Sequence, residues 1–217
     1  MTFIGEAFSW LTDATNWSGP AGIPSRVGEH LLVVLIVVLL AALIAWPIGL
    51  FIGHTRRGGN VAQAITGGAR AVPTLGLLTL FGLVFGIGLF APIVALVILA
   101  IPSLLAGAYS GVQAIDESIP SAAKAVGMTP LQVLASVEIP LALPLIIGGL
   151  RTATLQVVAT ATMAAYTADA GLGRYLFAGL KTRDYGEMLG GALLVVLIAL
   201  ILELALGAIQ RASASRP

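Results

Sequence analysis

The 217-residue chain contains no cysteine. Disulfides, thiolate metal sites and cysteine nucleophiles are thereby excluded. Charge is scarce: Asp, Glu, Lys and Arg make up 10% of the residues and nearly cancel, to a net +1. That balance gives no electrostatic footprint for nucleic acid. The two histidines, His30 and His54, are far apart and have no acidic cluster beside them. No phosphate-cradling loop, zinc-ligand spacing or activated-serine motif is present. The chain is therefore expected not to be an enzyme. At this length neither an attached ATPase nor a soluble binding domain of ordinary size is expected beside its apolar spans.

What the chain has in quantity is apolar surface: 58% hydrophobic residues and a mean hydropathy of +1.01. Several runs reach the roughly 20 residues needed to cross a bilayer. Five spans are expected, at about Val27–Gly53, Ala62–Ile87, Phe90–Val112, Leu141–Tyr166 and Met188–Ile209. Pro47 should kink the first, Val72-Pro73 break the second and Pro102 interrupt the third. A very tight turn separates the second span from the third. Residues 1–26 lack the basic start of a signal peptide and carry Glu6 and Asp13. Phe3, Ile4, Ala7, Phe8 and Leu11 fall on one helical face, with Trp10 and Trp17 nearby, so an interfacial helix is expected there. The division read from the sequence is thus an N-terminal segment 1–26, a transmembrane domain 27–211 and a tail 212–217.

One polar stretch, Ile115 to Pro144, interrupts this pattern. Ser118 can cap a short Ala-rich helix with Pro120 in its first turn. Gly127 suits the position just past its end. Thr129, Pro130 and Gln132 then form a capping box for a second helix, which Pro140 and Pro144 should end or bend into the next span. The reading is two short helices at a sharp angle on a membrane surface, presenting small side chains.

The same stretch resembles the cytoplasmic loop of the inner-membrane permeases of ABC importers, whose pattern is Glu-Ala-Ala, three residues, Gly, nine residues, Ile-x-Leu-Pro. Here Ser121-Ala122-Ala123 is followed by Gly127 and, at matching spacing, by Val137-Glu138-Ile139-Pro140. Ser replaces the first Glu, which removes whatever salt bridge that acid makes elsewhere. The likeness extends over about Val27 to Arg211. Arg70-Ala71-Val72-Pro73-Thr74, Gly127-Met128-Thr129-Pro130, Leu141-Ala142-Leu143-Pro144, Gly149-Leu150-Arg151-Thr152-Ala153 and Ala170-Gly171-Leu172-Gly173, with Gly179-Leu180 and Asp184 beyond, are similar to the osmoprotectant permeases. No single piece is specific; their order and spacing are.

The resemblance implies an all-α membrane fold, the type I importer permease fold, with the 115–140 loop as a coupling device. It implies a permease subunit for glycine betaine, choline, carnitine, proline betaine or similar solutes. Its partners would be a second permease subunit, identical or paralogous, two ATPase subunits and an extracytoplasmic solute-binding protein. No cofactor is expected on this chain; ATP and Mg would bind the partner ATPase. The location implied is a bacterial cytoplasmic membrane with the N-terminus outside and the C-terminus inside. Charge bias adds little to that orientation. Arg56, Arg57, Lys124, Arg211 and Arg216 would lie inside, and Arg26, Arg174, Lys181 and Arg183 outside.

Ser121, Ala122, Ala123, Lys124, Val126, Gly127, Met128 and Pro140 are the expected ATPase-coupling residues, and Ala122, Ala123, Val126 and Gly127 leave little side-chain bulk, which permits close approach. Candidates for the translocation path are Arg70, Pro73, Thr74, Arg151 and Thr154. For the two arginines, snorkelling or bonding to free carbonyls competes with a path role. Thr152, Thr160 and Thr162 could wet a path or bond back to their own helix. Glu203 is expected to reach the interface or pair within the bundle. Gly67-Gly68, Gly148-Gly149 and Gly190-Gly191 are places where helices can approach. Asp169, Arg174, Lys181, Arg183 and Asp184 are candidate binding-protein contacts. Alternatives stay open: an importer for methionine or another amino acid, an ion-driven secondary transporter, or a membrane scaffold. The secondary transporter calls for inverted repeats and mid-membrane carboxylates, which the sequence does not display.

Overall fold

A computed structural model describes residues 3–69 and 71–214. Ten α-helices appear among them: α1 (Phe3–Thr12), α2 (Ile23–Thr55), α3 (Gly59–Ala69), α4 (Thr74–Phe85), α5 (Phe90–Gln113), α6 (Ser118–Ala125), α7 (Pro130–Val133), α8 (Ile139–Thr160), α9 (Gly173–Thr182) and α10 (Tyr185–Ala214). Four helical stretches are long and apolar enough to cross a membrane, Ile23–Thr55, Phe90–Gln113, Pro130–Tyr166 and Tyr185–Ala214. The pair α3 and α4, bent by 86° at its break, makes a fifth if counted as one span. The expected break at Val72-Pro73 is therefore nearly a right angle: Pro73 adopts an extended conformation and sits at the N-terminus of α4.

At 33 residues, α2 is about 50 Å long. It packs along α5, and α8 lies against both. The core they share is built from alanine, valine and leucine: Val34, Val37, Ala41 and Ala45 of α2, Leu96, Ala100 and Leu104 of α5, Ala153, Val157 and Val158 of α8. One close crossing joins α5 to α8. A Cβ on Gly149 would lie 2.8 Å from Ser103 O and 2.9 Å from Gly107 Cα, so a side chain there would push the helices apart. By contrast, no atom lies within 4 Å of where a Cβ would stand on Gly67 or Gly68. Those two make no close helix approach within this chain, contrary to the expectation for them.

The prolines of the central stretch do not end its helix. From Pro130 the chain stays helical to Tyr166, 37 residues in all. A wide π turn over Leu134–Glu138 joins α7 to α8, with the Ile139 N–H bonded to Leu134 O, five residues back. That widening shifts the carbonyls a proline ring would strike, so Pro140 occupies the first turn of α8 where a missing N–H is tolerated. Pro47, Pro102 and Pro144 likewise lie inside continuous helices.

The N-terminal helix is docked rather than isolated. Ala7 is fully buried and α1 lies along the first half of α10. Trp10 covers Gly190, whose Cβ would meet the indole at 2.4 Å, and meets Tyr175 edge-on. Phe3 does the same with Tyr185. Ile4 and Phe8 of the expected apolar face stay exposed. The tight turn before α5 uses Gly86 and Gly88 at φ of 82° and 140°, conformations that disfavour a side chain.

Candidate functional site

The central stretch forms one end of the molecule. Ser118 is the first residue of α6 and not its cap, because the residue before it is helical. The cap is Asp116, whose carboxylate accepts from the Ser118 backbone N–H at 2.8 Å and hydroxyl at 2.6 Å. These two bonds, the hydroxyl's first, hold the Asp116 pKa below the ordinary carboxylate value. At the other end, Gly127 has φ +95°, and the Gly127 and Met128 N–H groups bond to Lys124 O and Ala123 O. This is a Schellman termination, open to glycine because it requires the left-handed region. Two residues later α7 starts on its capping box: the Thr129 N–H donates to Gln132 Oε1 at 2.8 Å, and the Gln132 N–H to Thr129 Oγ1 at 3.4 Å.

What this end presents is small or apolar. Ser121, Ala122, Lys124, Val126, Gly127 and Pro140 are exposed, while Ala123 and Met128 are half-buried. Val126 is 81% exposed and neighbouring Leu131 73%. Such apolar side chains, displayed without cover on a polar turn, suit a protein partner.

Sequence reasoning missed how this end is held. Arg56, just past α2 with φ 53°, donates from Nη2 to Ile115 O at 2.9 Å and pairs with Glu117 at 3.0 Å. Inside it, His54 Nδ1 lies 2.6 Å from Glu138 Oε2. Among the described residues no metal-ligating cluster surrounds His54, but a single acid meets it. Its acid comes from 84 residues away, and Glu138 is only 4% exposed. The signal available was Glu138 itself, a lone acid in a stretch about to enter the membrane.

Along the bundle, a cavity of about 380 Å³ opens between α5, α8 and α10, lined by Ser103, Gly107, Ser110, Arg151, Thr152 and Gln210 among others. Arg151 binds Glu203 through two nitrogens, with Nε 2.7 Å from Oε2 and Nη2 on Oε1. Its Nη1 donates to Gln210 Oε1 at 3.1 Å. Glu203 thus pairs within the bundle. Thr154, two residues from Thr152 and so about 200° around the helix, faces elsewhere. It is buried in an apolar groove with Leu31, Val38, Trp46 and Leu202, away from the polar cavity that Arg151 lines. The hydroxyls of Thr152, Thr160 and Thr162 all bond back to carbonyls of their own helix. Pro73 and Thr74 start α4, and Arg70 lies outside the described residues.

The opposite end is tied by charge. Arg26, 8% exposed, donates to Glu29 at 2.9 Å and to the carboxylate and carbonyl of Asp169 at 3.0 and 3.1 Å. Arg174 Nε pairs with the same Asp169 oxygen at 2.8 Å. Glu29 accepts from the Gly171 N–H, and Tyr175 Oη donates to Ala21 O. Of the five candidate residues here, Asp169 and Arg174 are brought together. Asp184 instead accepts from the Glu187 N–H in the first turn of α10. Lys181 and Arg183 are exposed at the end of α9. Among the described residues no group of three or more metal-ligating side chains occurs.

Comparison with known proteins places this architecture. The family described as binding-protein-dependent transport system inner membrane component matches residues 45–217. Over 186 residues the chain is 32% identical to the glycine betaine/carnitine/choline transport system permease protein OpuCB of Bacillus subtilis (strain 168), covering 86% of each chain. It is 33% identical over 185 residues to OpuCD of the same transport system and organism, covering 85% of this chain and 81% of that one. Among solved structures, the inward-facing MetNI methionine ABC transporter superposes with a TM-score of 0.75 over 88% of this chain and 95% of that chain, at 24% identity. That is a likeness of fold, and it is the permease fold which the loop resemblance implied.

Proposed function

Because the chain belongs to the family of binding-protein-dependent transport system inner membrane components, we propose that it is the multi-pass permease subunit of an ATP-driven importer for compatible solutes of the glycine betaine, choline and carnitine class. The observation that carries the solute class is the shared identity, over most of both chains, with two permease proteins named for those solutes. The methionine transporter is a neighbour in fold at lower identity, which ranks the amino-acid alternative second.

On this reading the α6–α7 end docks an ATPase, which alone binds ATP and Mg. Ser121, Ala122, Ala123, Val126, Gly127 and Met128 offer a small or apolar surface, Lys124 adds a cation to it, and Pro140 sits where the docked segment enters α8. Since α7, the wide turn and α8 are one helix, a push on α7 is delivered straight into the bundle. The His54–Glu138 and Arg56–Ile115 bonds carry it into α2 as well. The end bearing Asp169, Arg174, Lys181, Arg183 and Asp184 then faces outward and meets the solute-binding protein, with the N-terminus outside and the C-terminus in the cytoplasm. Two permease subunits enclose the path. The pairing of two differently named permeases in one transport system among the relatives favours a paralogous partner. With 6% aromatics, the chain is expected to hold the solute weakly, and strong capture by cation–π attraction falls to the binding protein.

The test is uptake of labelled glycine betaine in cells that depend on this chain and its neighbouring transport genes, with unlabelled choline, carnitine and methionine as competitors. Competition by choline or carnitine but not methionine is expected. Competition by methionine alone refutes the solute assignment. Purified free of any ATPase subunit, the chain should hydrolyse no ATP.

A further inference from the structure

An arginine between spans has to be neutralised, and Glu203 does this for Arg151. The pair leaves part of the guanidinium unused. Of its five N–H groups, Nε and one on Nη2 go to Glu203 and one on Nη1 goes to Gln210. One N–H remains on each terminal nitrogen. With Gln210 accepting the Nη1 hydrogen on the Cδ side, these two donors lie parallel on the outer edge and match the two oxygens of a carboxylate.

The surroundings hold the guanidinium in place. A Cβ on Gly207 would approach Arg151 Cζ at 3.6 Å, and one on Gly148 would strike Gln210 Nε2 at 2.8 Å. Bare backbone at these two positions lets the guanidinium and the amide lie close against α10 and α8. Gln210 is oriented in turn, its Nε2 donating to Pro144 O at 3.0 Å. The cavity in front, about 380 Å³, admits a molecule of a few carbon atoms, and Ser103, Ser110 and Thr152 place hydroxyl oxygens on its wall.

We infer that this cavity is a carboxylate subsite in the permease, in which the free edge of Arg151 receives the carboxylate of a small zwitterionic solute. Glu203 balances the charge of Arg151 itself, and Arg211 adds a second cation nearby, its Nη1 as close to a Cβ on Gly207 (3.6 Å) as Arg151 Cζ is, so the solute group favoured here is a carboxylate. A neutral zwitterion is held by two directed hydrogen bonds and released readily, as a transport step requires. The inference rests on the proposed import of small solutes, and it goes beyond that reading in distinguishing solutes with a carboxylate from those without.

The chain has no cysteine, so Thr152→Cys places a single thiol on the cavity wall beside Arg151. In the assembled transporter in membrane vesicles, the rate at which a small maleimide alkylates this thiol reports occupancy. Glycine betaine should slow alkylation at about tenfold lower concentration than choline, which carries the same cation and no carboxylate. Adding Arg151→Lys preserves a cation for Glu203 and removes the second pair of donors, so the advantage of glycine betaine should vanish. Equal protection by glycine betaine and choline overturns the subsite, as does an advantage that survives Arg151→Lys. The first comparison is decisive without the lysine variant should that variant fail to assemble. Protection by glycine or methionine, with none by glycine betaine or choline, would retain the carboxylate subsite and overturn the osmoprotectant reading instead. Absence of protection by every carboxylate-bearing probe overturns the subsite.

Discussion

His54 Nδ1 lies 2.6 Å from Glu138 Oε2, joining the last turn of α2 to the wide turn between α7 and α8. Both side chains are largely buried, at 17% and 6% exposure. Removing either partner strands the other, at a cost of about 1–3 kcal/mol. His54→Leu and Glu138→Leu should therefore each lower the unfolding midpoint of the purified permease and weaken retention of the ATPase. The double variant His54→Leu/Glu138→Leu should be less damaged than the two losses added together, since no lone polar group is left. Strict additivity of the midpoint shifts would mean that the two side chains do not act as a pair.

The charge cluster at the opposite end makes a graded prediction. Arg26 has 10% side-chain exposure, whereas its partner Asp169 has 69%. Asp169→Asn keeps hydrogen bonding to a well-solvated site and should cost about 1 kcal/mol or less. Arg26→Leu removes the buried donor on which Glu29 and the Asp169 carbonyl both converge, and should cost clearly more. Thermal unfolding of the two variants side by side checks the order; equal losses would place the weight of the cluster on Asp169.

Orientation is open to direct measurement because introduced cysteines are the only thiols in the chain. Lys124 on α6 and Lys181 on α9 are both exposed and lie at opposite ends of the bundle. In intact cells, Lys124→Cys should be shielded from an impermeant thiol reagent and Lys181→Cys labelled. The reverse pattern would invert the proposed topology.

Much of this was legible in the sequence because it is local. The spans follow from apolar run length, and the Thr129–Gln132 box and the Gly127 turn follow from residues within a few positions of each other. The family pattern lies on that same stretch. What escaped is non-local. His54–Glu138, Arg26–Asp169 and Arg151–Glu203 join residues 84, 143 and 52 positions apart, and no periodicity announces such a pair. The prolines divide. Val72-Pro73 breaks its span as its chemistry suggests, whereas Pro140, expected to end its helix or bend it into the next span, lies in a helix that continues, because one extra residue in the preceding turn moves the carbonyls away. Thr154 and Arg151, both candidates for the path, lie on different faces of α8, Arg151 at the polar cavity and Thr154 in an apolar groove.

Two glycines separate docking from folding. At Gly149 a Cβ would meet Ser103 O at 2.8 Å and Gly107 Cα at 2.9 Å, both backbone atoms that can yield only if α5 and α8 move apart. Gly149→Ala should therefore reduce the amount of folded protein in the membrane, as overpacking at a helix crossing costs about 1–3 kcal/mol. At Gly127 no atom lies within 4 Å of the new Cβ. There the penalty is conformational: φ is +95°, and a β-branched residue in that region is strained by about 1 kcal/mol or more. No span is touched, so Gly127→Val should insert normally. Its added bulk, and any shift in the turn between α6 and α7, falls on the surface proposed to meet the ATPase. Co-purification of the ATPase and solute uptake should both drop steeply, while Ser121→Ala on the same helix, a small change at an exposed position, should be mild. Membrane-inserted Gly127→Val that keeps its ATPase and transports at the normal rate would remove α6 and α7 from the docking surface.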